Sequence, residues 1–249
     1  MCSNKIGIFD KNKIKYYNKY MNEIKDLLLL NGADLVGFAD LNGLNKNNEM
    51  PYGVCVAVKL NPEIIKSIKN GPNIEYFNEY NRINDLLNNI VTIGTQYLIK
   101  NGFKAFAQTS TLVKFNDNFE TDLPHKTIGT RSGLGWIGKS ALFVTKEYGS
   151  GIRISSFLTN AKLDCNDPIN ESLCGDCMEC VKNCPGDAIT GKLWNIKMER
   201  SEIFDAKKCS KTAKAISKEK LKKEVTLCGK CIEICPYTIK YVNEYSNMG

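Results

Sequence analysis

Cys174-Gly175-Asp176-Cys177-Met178-Glu179-Cys180-Val181-Lys182-Asn183-Cys184-Pro185 opens the stretch that decides the architecture, and Cys228-Gly229-Lys230-Cys231-Ile232-Glu233-Ile234-Cys235-Pro236 closes it. The first run is C-x2-C-x2-C-x3-C-P. The second is C-x2-C-x3-C-P, and Cys209 stands alone between them. Together they offer eight cysteines in two half-motifs, the number of thiolates that two four-iron clusters need. Three thiolates at this spacing wrap one corner of a cubane, with backbone N–H groups aimed at the sulfurs. The proline after the last cysteine stops the chain from folding back over the same cluster. Disulfides and structural zinc are the bland alternatives. Zinc sites use four ligands in paired knuckles, and three close cysteines followed by C-P suit that poorly.

The first run has the bacterial ferredoxin spacing, in which the cysteine before proline ligates the other cluster. The expected sets are therefore Cys174, Cys177, Cys180 and Cys235 for cluster one, and Cys184, Cys228, Cys231 and one further thiolate for cluster two. A plain second motif would put that thiolate three residues before Cys228, where Val225 stands. Cys209 is the best replacement, brought back by an intervening stretch of 18 residues. Cys165 lies outside the eight, Cys2 is near the chain start, and Cys55 reads as a buried core thiol.

The chain has 249 residues, 43% of them hydrophobic, which suits one large or two modest soluble domains. No apolar run approaches the roughly 20 residues that span a bilayer. The first residues, Met1-Cys2-Ser3-Asn4, carry no signal-peptide core. With 11 cysteines and no export signal, a cytoplasmic location and metal binding are expected. The formal charge is +7. Two four-iron clusters, each near −2 with its thiolates, bring it to about +3, so global charge argues weakly for nucleic acid. Lys207, Lys208, Lys211, Lys214, Lys218, Lys220, Lys222 and Lys223 are interrupted by one acid, Glu219. That run, expected in the loop beside cluster two, reads as a solvated helix face or as a dock for an acidic electron donor or an RNA backbone.

Residues 16–31 have helical periodicity ending at Asn31-Gly32, and residues 33–39 and 53–60 read as strands. Residues 62–69 and 73–100 read as helices, and 103–108 as a strand. Tyr76, Tyr80 and Arg82 are candidates to flank a pocket, or core. Residues 114–132, with Asp117, Asp122, Pro124 and His125, read as a long functional loop. Residues 141–145 and 153–159 read as strands, and 163–172 as a polar linker. The alternation of strand and helix predicts an α/β sandwich domain over 1–163 and a double-cluster domain over 164–249.

Gly133-Leu134-Gly135-Trp136-Ile137-Gly138-Lys139-Ser140 satisfies both the dinucleotide fingerprint and the phosphate-loop pattern. Both need a strand before and a helix after. The flanking residues suggest no strand before and a strand, Ala141–Thr145, after. Both nucleotide readings are therefore set aside. The glycines still let backbone approach something closely.

This segment, the Tyr148-Gly149-Ser150 turn, Phe157-Leu158-Thr159 and the cysteine runs with Cys209 between them resemble the catalytic part of epoxyqueuosine reductases. The resemblance covers roughly residues 50–240. Reductive dehalogenases are looser relatives. It implies an α+β chain: a nitroreductase-like α/β sandwich holding cobalamin, followed by a two-[4Fe-4S] ferredoxin-like domain. It implies electrons passing from an external ferredoxin- or flavodoxin-type donor through the clusters to a corrinoid, which acts on a tRNA wobble base. By that resemblance Gly135, Trp136, Ile137, Gly138, Lys139 and Ser140 contact the corrinoid.

The family's proton-donating aspartate sits in an Asp-Ser-Ala-Pro segment. Here the segment is Thr121-Asp122-Leu123-Pro124, with Asp122 one residue out of register. Asp122 and His125, the sole histidine, are the candidate catalytic residues. Lys126 and Arg153 are candidates to pair with corrinoid amides or a substrate phosphate. The family's C-terminal helical-repeat domain is not expected in this chain, which reads as a short sister branch. Three roles remain open: a corrinoid reductase, an electron-transfer protein that reduces a partner's corrinoid, and a tRNA-modifying reductase. Electrons are expected to enter at cluster two, beside the lysines, and to leave from cluster one.

Overall fold

The computed structural model describes residues 11–44, 49–109 and 121–246, and side chains from residue 21 onward. Cys2 and Asp117 lie outside the described residues. In chain order the elements are α1 (Lys11–Leu30), β1 (Leu35–Asp40), β2 (Tyr52–Lys59), α2 (Pro62–Ser67), α3 (Ile74–Lys100), β3 (Ala105–Gln108), α4 (His125–Arg131) and β4 (Trp136–Ile137). They continue with β5 (Phe143–Val144), β6 (Ile152–Thr159), α5 (Glu179–Lys182), α6 (Arg200–Ile203), α7 (Ala206–Leu221), α8 (Lys230–Glu233) and α9 (Pro236–Ser246).

Four strands form one antiparallel sheet in the order β1-β2-β6-β3. In its register Gly37 faces Cys55, and Val54 faces Phe157. β2 reads as an unbroken apolar run because both faces of the sheet are covered. Val54, Val56 and Val58 pack with Ile24 and Leu28 of α1 and with Ile83, Leu87, Ile90 and Leu98 of α3. On the other face Cys55 meets Ile128 of α4, and Ala57 meets Phe143.

α3 starts where Asn73 accepts from the Tyr76 N–H, and α2 where Asn61 accepts from Glu63 N with Pro62 next to it. α3 lies close to the sheet because position 94 is glycine. A Cβ there would stand 2.8 Å from Phe157 and 2.9 Å from Leu28.

The C-terminal region returns to this core. Leu227, Tyr241 and Val242 are buried in the same cluster as β2 and α3. Tyr241 Oη donates to Leu60 O at 2.9 Å, which ties α9 to the end of β2. Among the described residues, no helix is long and apolar enough to cross a membrane.

Two expectations are corrected. The polar stretch expected as a loop contains α4, whose apolar contribution is confined to Ile128 and small residues, so its periodicity was too weak to signal a helix. Residues 114–120 of that stretch lie outside the described residues. Of the lysine run expected in a loop, Lys207, Lys208, Lys211, Lys214, Lys218 and Lys220 lie on helix α7, with Asp205 accepting from Lys208 N at its start, and Lys222 and Lys223 follow it. Strands are present within 141–145 and over 153–159, in different sheets: β5 pairs with β4, whereas β6 pairs with β2 and β3.

Candidate functional site

The cysteines fall in two adjoining groups. Burial and the neighbouring thiols of Cys174, Cys177 and Cys235 push the Cys180 thiol up to about 11. Burial, then Cys228 and Cys184, raise Cys209. Cys231 is raised by burial and by Cys180, Cys184, Cys228 and Cys209, so it borders both groups. Cys209 thus neighbours Cys184, Cys228 and Cys231, and Cys180 neighbours Cys174, Cys177 and Cys235. α7 carries Cys209 in its first turn, and α8 carries Cys231.

All ten described cysteines are free thiols. Among the described residues, no group of three or more His, Cys, Asp or Glu could hold a metal ion. Iron binding would displace the protons that burial keeps on Cys180, Cys209, Cys228 and Cys231.

The glycine-tryptophan segment packs against the first group. A Cβ on Gly138 would stand 3.4 Å from Cys174 Sγ. Trp136 is fully buried and meets Tyr237 edge-on at 4.9 Å. Lys139 is buried, and its Nζ donates to Cys177 O at 2.9 Å. Ser140 is buried beside Leu142 N. Gly135 faces β5, where an added Cβ would meet Val144 O at 2.1 Å. α4 precedes this segment and β5 follows it, so neither nucleotide-loop context exists.

A cavity of about 720 Å³ lies between α4, β6 and residues 194–203. Of the expected cofactor contacts, Ile137 lines it and Gly135, Trp136, Gly138, Lys139 and Ser140 do not. The second cysteine group borders it. Ile232, next to Cys231, is on the wall, and so is Ser150, whose Oγ donates to Cys231 O at 3.2 Å.

His125 lines the cavity and Asp122 does not, although Thr121 and Pro124 do. His125 Nδ1 lies 2.7 Å from Ser156 Oγ, and Ser156 Oγ donates to Gln108 Oε1 at 2.6 Å. Gln108 Nε2 donates in turn to Leu123 O at 3.2 Å. Because the serine proton is spent on Gln108, the serine oxygen accepts from Nδ1–H, and Nε2 keeps its lone pair. Burial, with the Arg153 charge nearby, pushes the imidazole down to about 4. Burial, aided by Arg200 and opposed by Cys209, pushes Lys126 down to about 8, and its Nζ donates to Ala141 O.

Residues 173–238 match the 4Fe-4S double cluster binding domain family, a span that contains all eight cysteines. The epoxyqueuosine reductase of Listeria monocytogenes is 32% identical over 117 residues, covering 47% of this chain and 30% of that protein. That of Gloeobacter violaceus is 38% identical over 78 residues, covering 31% of this chain and 21% of that protein. This chain resembles the epoxyqueuosine reductases.

The chain thus aligns with about a fifth to two-fifths of the length of the curated relatives it matches. An epoxyqueuosine reductase solved with an epoxyqueuosine-modified tRNA stem loop shares the fold at TM-score 0.61 and 16% identity, over 90% of this chain and 66% of that one. The reductive dehalogenase NpRdhA, solved with 3-bromo-4-hydroxybenzoic acid, shares it at TM-score 0.66 and 17% identity, over 88% of this chain and 32% of that one.

Sequence reasoning missed Ser156 and Gln108, which orient His125, and Arg131, Trp194 and Arg200, which line the cavity. No local signal marks them. Ser156 is one small residue in an apolar strand, and the others lie in separate segments that only the fold joins. Tyr80 does flank the site, with Arg153 stacked on its ring at 3.8 Å. Arg82 instead pairs with Glu79 at 2.7 Å.

Proposed function

We propose that this chain is an iron–sulfur oxidoreductase of the epoxyqueuosine reductase kind, built from a nitroreductase-like part over 1–163 and a ferredoxin-like double-cluster part over 164–249. Electrons enter at Cys174, Cys177, Cys180 and Cys235, cross to Cys184, Cys209, Cys228 and Cys231, and leave into the cavity. The observation that carries this reading is the Ser150–Cys231 hydrogen bond at 3.2 Å, which joins the cavity wall to the backbone of the second group. The order reverses the one expected from the lysine run. Leu173 and Ile239, both exposed, flank the first group and suit a docking ferredoxin- or flavodoxin-type donor.

The cavity residues suit a corrinoid. Ile137, Leu142, Phe143, Ile152 and Ile154 give apolar walls for a macrocycle, and His125 presents an uncharged imidazole at the edge. A bound corrinoid would supply a low-potential cobalt centre. The chain's own residues orient it, exclude water, and hold protons at His125 Nδ1 and Lys126 Nζ. Asp122, exposed at the head of α4, supplies a proton only if its segment moves inward. A tRNA partner is the counterpart of the exposed lysine face of α7.

The test is anaerobic purification followed by titration with cobalamin. Iron near eight per chain, a one-to-one change in the visible spectrum, and electron transfer to the added cobalamin that Cys231→Ser abolishes are the expected results. Eight irons with no corrinoid binding would refute the enzyme reading and favour the protein that reduces a partner's corrinoid. Salt-sensitive tRNA binding would favour the tRNA-modifying reading.

A further inference from the structure

Trp136 is fully buried, and its indole Nε1 has no hydrogen-bond partner among the described residues. A tryptophan N–H taken out of water normally finds an acceptor, because an unpaired one loses its hydration with nothing in return.

The surroundings of Trp136 are those of the first cysteine group. Its ring meets Tyr237 edge-on at 4.9 Å, and Tyr237 follows Cys235 and Pro236 directly. Further along the same segment Gly138 lies against Cys174, where a Cβ would stand 3.4 Å from Sγ. Lys139 Nζ then donates to Cys177 O at 2.9 Å. The segment thus reaches the chain at or beside three of the four cysteines of that group.

Oxygens on this side are already engaged. Cys177 O accepts from Lys139, and Leu173 O accepts from Tyr237 Oη at 3.3 Å. Trp136 does not line the large cavity, so a ligand bound there does not supply the acceptor. The Tyr237 ring offers only a weak π acceptor. What remains are sulfurs: the thiolates of the group and the sulfides of a four-iron cluster, all anionic acceptors.

We propose that the Trp136 indole N–H donates to a sulfur of the cluster held by Cys174, Cys177, Cys180 and Cys235, and thereby raises that cluster's reduction potential. The inference rests on the cluster assignment above. Reduction by one electron adds negative charge that the sulfurs share, so a donor aimed at one of them favours the reduced state. In the relay described above this is the entry cluster, and the indole makes it easier to reduce. Trp136 is a positioning and tuning residue that takes no part in bond making.

Two measurements test this on the full chain, loaded anaerobically with iron and sulfide. EPR-monitored redox titration gives the midpoint of each cluster, and the signal that survives in Cys209→Ser belongs to the first group. Trp136→Phe keeps an aromatic ring and deletes the N–H. The first cluster should become about tenfold harder to reduce, a downward shift of about 59 mV for one electron, with the other midpoint unchanged. The second measurement leaves Trp136 in place. The chain has two tryptophans, so Trp194→Phe grown on indole-¹⁵N tryptophan carries one labelled indole. Pulsed EPR of its reduced first cluster should show ¹⁵N coupling, which supports the proposal even where Trp136→Phe fails to load iron. An unshifted midpoint in iron-replete Trp136→Phe, no coupling, or coupling to the cluster lost in Cys209→Ser overturns it, while about eight irons per chain leave the two-cluster reading intact. About four irons in the unsubstituted chain would overturn that reading and this inference together.

Discussion

His125 Nδ1 and Ser156 Oγ are 2.7 Å apart, and this pairing sets what the sole histidine can do. The serine hydroxyl is already donated to Gln108, so the imidazole must donate through Nδ1 and is left with a lone pair on Nε2. At neutral pH the ring is an acceptor or a ligand and carries no proton at Nε2 to give away.

A single histidine makes this directly measurable by imidazole ¹⁵N NMR. The ring should remain neutral at pH 6, with the Nδ1–H tautomer, and titrate near 4. An apparent pKa near the usual 6.5 would remove this account. The sign for stability follows. The folded pKa is depressed, so between about 6.5 and about 4 the unfolded chain binds more protons than the folded one, and stability falls as pH falls through that window. The full cost is on the order of 3 kcal/mol. His125→Gln should flatten that part of the pH profile.

Cys209→Ser tests the displaced ligand. Iron should fall from about eight to about four per chain, with one of two reduced-cluster EPR signals lost. Full iron with an unchanged spectrum would return attention to Cys165, whose thiol burial, with Asp40 and Asp164, holds up at about 11.

Lys139→Met removes the buried ammonium that donates to Cys177 O at 2.9 Å. A charge-assisted bond of this kind contributes about 1.5–3 kcal/mol. The melting temperature should drop, and the EPR signal of the first group should change while the second is preserved. A change confined to the second group would contradict the grouping.

Gly135→Ala and Gly102→Ala separate close approach from backbone conformation. The first places a methyl 2.1 Å from Val144 O, which must break the β4–β5 pairing. The second meets nothing within 4 Å but has φ +86°. Gly102→Ala should cost about 1 kcal/mol, and Gly135→Ala clearly more, as read by denaturant midpoints.

Much of the secondary structure was legible because it is local. α3 carries its own cap at Asn73 and an amphipathic stripe, and β2 is an apolar run bounded by Tyr52 and Lys59. α4 was not legible. It buries few apolar side chains, and its polar residues His125, Lys126 and Arg131 face a cavity built by other segments. The glycine segment looked like a cofactor loop, but of its six candidate residues only Ile137 lines the cavity.

The sequence by itself carried the two cysteine runs and a spacing that suits iron–sulfur ligation, because spacing within a turn or two of chain is a local property. Tertiary structure alone decided which set borders the cavity. That follows from β6 pairing between β2 and β3, which brings Ser150 to Cys231 and Arg153 to His125 across long stretches of chain. The charge of the cavity is of the same kind. Arg131 carries no signal in the sequence, and only the fold puts it and Arg153 on the wall of one cavity, each bonded to an asparagine.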